Sequence, residues 1–269
     1  MMNRLQFVRT TGALFILFSV SINVPFWLLT QNFEYDDILR KPTDYVLTQF
    51  HAGGTELILT WFFFAAIALL FIPACTLLQK VLQCEDTPYL TTATLMGAIS
   101  SVLQSIGLMR WVFVIPLLAK LYVDPSASDT TRAAVVVVYQ AVHQYGGVVI
   151  GEHLGQILLV GWTLGVSMAM LRSPLFKRWV GWMGIMTVPL WILGQSEMFA
   201  TIISSTPVLE TASIGFMLWE VWLIVVGVSL LRVNKRRLAV EKSSLENDRV
   251  STTLNKQYST SNLSSNRAS

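Results

Sequence analysis

The sequence predicts an all-α fold: a polytopic membrane protein built as a bundle of six transmembrane helices, with its N and C termini cytoplasmic. Three observations predict it. Hydrophobic residues make up 53% of the chain and charged residues 13%, about half the charged share of an ordinary soluble domain. Six runs, near 9–30, 55–79, 91–119, 147–171, 180–203 and 209–231, each reach the ~20 apolar residues that carry a helix across a hydrocarbon core. The basic residues are also unevenly shared between the connections. With six spans, one side holds Arg4, Arg9, Lys80, Arg172, Lys177, Arg178, Arg232, Lys235, Arg236 and Arg237, and the other holds Arg40, Lys41, Lys120 and Arg132. The positive-inside rule puts the richer side, and both termini, in the cytoplasm. A β-barrel is excluded because the runs lack alternation and are too long for barrel strands.

The chain divides into a membrane domain, residues 1–240, and a tail, residues 241–269, rich in Ser, Thr and Asn and expected to be disordered. The net charge of +3 comes from basic residues at the membrane flanks. It points to the lipid bilayer as a partner and gives no reason to expect nucleic acid. Cys75 falls in the second span and Cys84 in the loop after it, so neither is placed for an oxidised extracellular framework.

The first span follows Arg4 and Arg9 but is too long for a signal peptide and lacks a small-residue cleavage site. It is expected to stay as a helix bent near Pro25. The outer loop Gln31–Gly54 is acidic on balance, and Thr43–His51 has the pattern of a short interfacial helix. In the third span Gly97, Ser100, Ser101, Gln104 and Gly107 form a small, weakly polar face suited to helix packing. Arg110 lies later in that span, where it either snorkels to the outer interface or pairs with a glutamate of another span. After a polar segment around Asp124–Arg132, the amphipathic stretch Ala133–Tyr145 leads into the fourth span, with Gly146-Gly147 as a bend. The turn from Arg172 to Arg178 is short enough to make the fourth and fifth spans antiparallel neighbours.

Gly147, Gly151 and Gly155 recur every fourth residue, a stripe that admits a partner helix at close range. Beside it, on an α-helix, Glu152, His153 and Gln156 share an arc of roughly 100°. Charged groups inside a span are costly, about 2.5–3.5 kcal/mol or more at mid-membrane, and so call for partners. Arg110, Glu152, His153 and Glu197 all fall in the outer half of the predicted bundle, with Gln156 one turn further along its span and Glu220 near the middle. These six residues are the expected lining of a polar pocket that opens outward, with Arg110 as counter-charge to Glu152 or Glu220.

Known chemistries leave little trace. No His-Glu-x-x-His, Gly-x-Ser-x-Gly or Walker pattern occurs, and three histidines cannot furnish a four-histidine di-haem bundle. No cofactor is predicted. Glu152, His153 and Glu197 are ligand types that suit zinc, but their spacing does not specify a site, and metal binding stays open. Three functions remain: a non-enzymatic protein whose pocket binds or senses a small solute, a membrane enzyme using Glu152 and His153, and a structural subunit meeting another protein through the glycine stripe. The first is preferred.

Several stretches resemble one family. They are Arg9-Thr-Thr-Gly12-Ala-Leu-Phe-Ile-Leu, the mid-span Arg110, Gly151-Glu-His153-Leu-Gly-Gln156, the hairpin Leu171-Arg172-Ser173-Pro-Leu-Phe-Lys177-Arg178-Trp-Val-Gly181, and Trp222-Leu-Ile-Val-Val-Gly227. Together they resemble the bacterial six-helix membrane proteins of domain-of-unknown-function family 4386, over about Arg9 to Arg232. The resemblance implies a multi-pass protein of the bacterial inner (plasma) membrane and carries no established reaction with it.

Overall fold

The computed structural model describes residues 3–82, 89–209, 211–235, 237–239 and 243. Among them all regular structure is helical, with no strand. Arg236, Cys84, the loop around Glu85 and nearly all of the tail lie outside the described residues.

Helix α1 (Arg4–Phe33) starts at a capping box in which Asn3 and Gln6 satisfy each other's backbone amides. It runs through Pro25 as one helix and ends where Glu34 turns left-handed and returns its amide to Leu29. A 3-10 turn, Asp37–Arg40, follows. Helix α2 (Thr43–Ala68) contains a break at Gly54, with φ 55° and ψ −148°, a conformation open to glycine and few other residues. The predicted short helix Thr43–His51 is therefore present, as the segment of α2 before the break.

Two predicted spans are each built from two helices. Helix α3 (Phe71–Leu82) restarts after a turn at Leu69-Leu70, and α5 (Ile115–Val123) restarts after α4 (Tyr89–Phe113). Proline explains both restarts. Pro73 and Pro116 have no amide hydrogen and clash with the carbonyl four residues back, so each sits best in a first helical turn, although α1 and α8 run on through Pro25 and Pro189. Helix α6 (Asp129–Val142), capped by Ser128, leads directly into a π-helix at His143–Leu154, which continues as α7 (Gly155–Arg172). Gly146 and Gly147, where a bend was expected, lie inside this π-helix, so the chain stays helical through them. Helix α8 (Arg178–Ala200) and α9 (Ala212–Leu231) complete the bundle.

Among the described residues five helical segments are long and apolar enough to cross a membrane: α1, α2 with α3, α4 with α5, Asp129–Arg172, and α9. Helix α8 packs between α7 and α9, and α7 and α8 form the expected hairpin. The bundle closes through α4 against α7 and α1 against α9. Glycines set these distances. A Cβ at Gly12 would lie 2.6 Å from the Gly227 carbonyl oxygen, and one at Gly107 would lie 2.7 Å from the Gly151 Cα. Between lipid-exposed helices close packing has to supply the attraction that expelling water supplies elsewhere.

The buried centre is aromatic. Trp61 and Trp111 stack with centroids 4.9 Å apart, and Phe33 and Phe50 close around Trp111. Trp219 donates to Thr163 Oγ1 at 3.0 Å and Trp222 to the Val180 carbonyl at 2.8 Å, which satisfies two indoles inside the bundle.

Candidate functional site

A cavity of about 230 Å³ lies inside the bundle, walled by α1, α2, α4, the π-helix, α8 and α9 and roofed by the loop after α1. Aromatic rings form a large part of its wall, including Phe18, Trp61, Phe71, Trp191 and Phe216. Its polar lining comes from Tyr35 and Asp36 in the loop, Gln104 and Arg110 on α4, and Glu152 and Gln156 on the π-helix and α7.

The π-helix brings this lining together. Its wider turn holds Gly147 and Gly151 against α4, where Gly147 faces Arg110 and Gly151 faces Gly107, while Gly155 faces Gln104. The helix that the glycine stripe admits is thus α4 of the same chain. Glu152, His153 and Gln156, expected on one arc, find different neighbours. Glu152 and Gln156 line the cavity. His153 turns to α8, where its Nδ1 meets Gln195 Oε1 at 2.7 Å and its ring meets Phe199 edge-on. Gln195 also donates to Gln156 Oε1 at 2.5 Å, so one amide joins His153 to the cavity wall.

The counter-ion to Glu152 is Arg40, not Arg110. Arg40 Nη2 lies 2.7 Å from Glu152 Oε2 and 3.0 Å from Glu197 Oε1. Burial disfavours the Arg40 charge, but the two carboxylates more than offset it and raise its pKa above the usual arginine value. Tyr35, in the same loop, has its phenol pKa raised by burial first and then by Glu152 and Asp36. It remains a hydrogen-bond donor at any physiological pH.

Arg110 neither snorkels nor pairs. It is 7% exposed, and among the described residues no carboxylate lies within ion-pair distance of it. Its Nη1 donates to the Gly107 carbonyl at 2.5 Å, its guanidinium carbon stands 5.2 Å from the centre of the Trp111 ring, and its Nε has no hydrogen-bond partner. Glu220, the other expected partner, stands apart from the cavity and accepts a hydrogen bond from Asn23 at 2.9 Å.

Of the six expected site residues, then, Arg110, Glu152 and Gln156 line one cavity. Glu197 joins them through Arg40, and His153 through Gln195. Glu220 belongs elsewhere. Among the described residues no three His, Cys, Asp or Glu side chains are grouped as a metal ion would require. Sequence reasoning missed Arg40, Gln195 and Asn23. Gln195 carried a readable signal, since it sits two residues before Glu197 at the same end of one helix. Arg40 carried none, because its role depends on a loop folding inward.

Fold and cavity define an all-helical protein with the long apolar helices of a membrane bundle and a polar, partly charged interior. The chain belongs to the family described as Domain of unknown function (DUF4386), whose model matches residues 10–227. The match begins beside Gly12 and ends at Gly227, the pair that joins α1 to α9. No curated protein and no solved structure matches the chain.

Proposed function

We propose that this protein is a six-span, multi-pass protein of the bacterial inner membrane whose internal cavity binds or senses a small solute reaching it from the outer side. The observation that carries the reading is the cavity itself, rich in aromatic rings and lined by a few polar and charged groups, which is the usual form of a small-molecule site. The π-helix at its wall adds support, because such turns are rare and cluster at functional sites.

The orientation rests on the basic residues. Arg4 donates to the carbonyls of Lys80 and Val81, Arg9 to that of Val233, and Arg237 to that of Leu175, so the richer set gathers at one end of the bundle. That end is cytoplasmic by the positive-inside rule, and α8 is then the fifth span. A reporter fused after Arg237 that reacts only from outside the cell would reverse the orientation.

Ligand entry is tested with an uncharged probe. Phenylpropanol should bind the purified protein and quench tryptophan emission, since Trp61, Trp111, Trp191 and Trp219 line the cavity. Ala68→Trp places a bulky ring in the wall and should abolish that binding without loss of helicity. Equal binding by parent and variant, or none by the parent, would sink the reading.

A further inference from the structure

We infer that the solute is an amphiphilic monocarboxylate, with an apolar body in the aromatic cavity and its single anionic head on Arg110. The inference rests on the cavity being a ligand site and names the chemistry that site takes.

Arg110 is a buried cation with an unused edge. Arginine keeps its proton in proteins, and a buried charge without a partner is costly. Its Nη1 is taken by the Gly107 carbonyl, while Nε is buried without a partner and Nη2 has no hydrogen bond among the described residues. Nε and Nη2 form the side edge of the guanidinium, which matches the two oxygens of a carboxylate in parallel. The backbone at Gly147 leaves room for that edge. A Cβ there would come closest to the guanidinium carbon and Nη2, both at 2.5 Å, so the glycine lies against the flat face and not across the edge.

The protein's own carboxylates near the cavity are engaged. Glu152 and Glu197 share Arg40, Asp36 accepts from Ser213 at 3.1 Å, and Glu220 accepts from Asn23. The anion that completes Arg110 therefore comes from outside the chain. Glu152 and Asp36 also line the cavity and repel a second negative group, which selects a monoanion over a dicarboxylate or a phosphate dianion. Size is bounded as well. An apolar cavity of about 150 Å³ takes benzene, so 230 Å³ admits an aromatic ring with a short acid side chain, or a medium alkyl chain.

The test uses the full chain in phosphatidylcholine nanodiscs, with calorimetric titration corrected against empty discs. The probes are 3-phenylpropionate, 3-phenylpropanol, 3-phenylpropylamine and phenylsuccinate. The acid should bind about tenfold or more tightly than the alcohol, as the gain of a charge-assisted pair allows. The amine and the diacid should bind no better than the alcohol. Arg110→Gln should erase the preference for the acid while keeping alcohol binding and a melting midpoint no lower than the parent's. Arg110→Lys should keep part of the preference, having the charge without the fork. If Arg110→Gln does not fold, the ranking of acid, alcohol and amine on the parent still decides.

Alcohol binding with no preference for the acid, or a preference that survives Arg110→Gln, overturns the monocarboxylate and leaves the cavity as a ligand site. Failure of every probe overturns both. Competition by decanoate against phenylpropionate marks a bilayer-borne acid, and its absence marks a soluble one; either result keeps the carboxylate at Arg110.

Discussion

Arg40 and Arg110 both approach the π-helix, yet they live under opposite rules. Arg40 comes from a loop, keeps 30% of its side chain exposed, and holds Glu152 and Glu197 together. Arg110 comes from the interior of a long apolar helix, is 7% exposed, and meets the Gly107 carbonyl, the Trp111 indole and the Gly147 backbone. By depth in the sequence Arg110 was the better match for Glu152. The loop overturns that match: once Arg40 folds in, it satisfies both carboxylates and leaves the helix-borne cation unpaired. An ion cluster and an unpaired buried cation thus arise from the same residue type, separated by which arginine reaches Glu152.

The comparison depends first on close packing, where the largest effect is expected. Gly107→Val puts a side chain into the Gly151 backbone, which cannot move without parting α4 from the π-helix. Overpacking of this kind costs about 3 kcal/mol, and thermal unfolding in detergent should show a clear fall in midpoint. An unchanged midpoint would mean that the two helices do not meet there.

The arginines themselves should respond in opposite directions. Arg40→Met strands Glu152 and Glu197 facing one another and should destabilise by about 2 kcal/mol, reduced from the buried-pair value because the cluster is part-exposed. Arg110→Met removes an unpaired buried charge and, without added ligand, should raise stability by about 1 kcal/mol. A loss on Arg110→Met equal to that on Arg40→Met would erase the distinction drawn here.

Double-mutant cycles sharpen it further. Arg40→Met with Glu152→Gln should couple by about 1 kcal/mol, whereas Arg110→Met with Glu152→Gln should stay within about 0.5 kcal/mol of additivity. The reverse ranking would restore Arg110 as the partner of Glu152.

The smallest effect is a control away from the cavity. In the loop after α5 the Asp124 carboxylate accepts from the Ser126 hydroxyl and amide, which holds its pKa below the ordinary aspartate value. A pKa depressed on folding gives stability that is present above the unfolded value and lost as pH falls through the folded one. Melting curves of the parent should therefore weaken below about pH 4, where a free aspartate titrates, and Asp124→Asn should weaken slightly less over the same range. An identical pH profile for both would show that the turn contributes nothing.

The sequence by itself determined the helical class, the placement of the long apolar segments, the α7–α8 hairpin and the helical piece Thr43–His51 before Gly54. These follow from composition and from period along one chain segment, and burial of backbone polar groups in apolar surroundings leaves a helix few alternatives. It also singled out the charged residues that interrupt the apolar runs, such as Arg110, Glu152 and Glu220, but not Arg40, which lies in a loop. Tertiary structure alone decided how they pair. Glu152 and His153, about 100° apart on a helix, were divided by packing, one meeting Arg40 from the loop and the other Gln195 on α8. Asn23 took Glu220, and the loop carried Arg40 across 112 positions of sequence to Glu152. Such pairings depend on which side chain arrives within about 3 Å of another, and neither helical period nor depth along a span contains that distance.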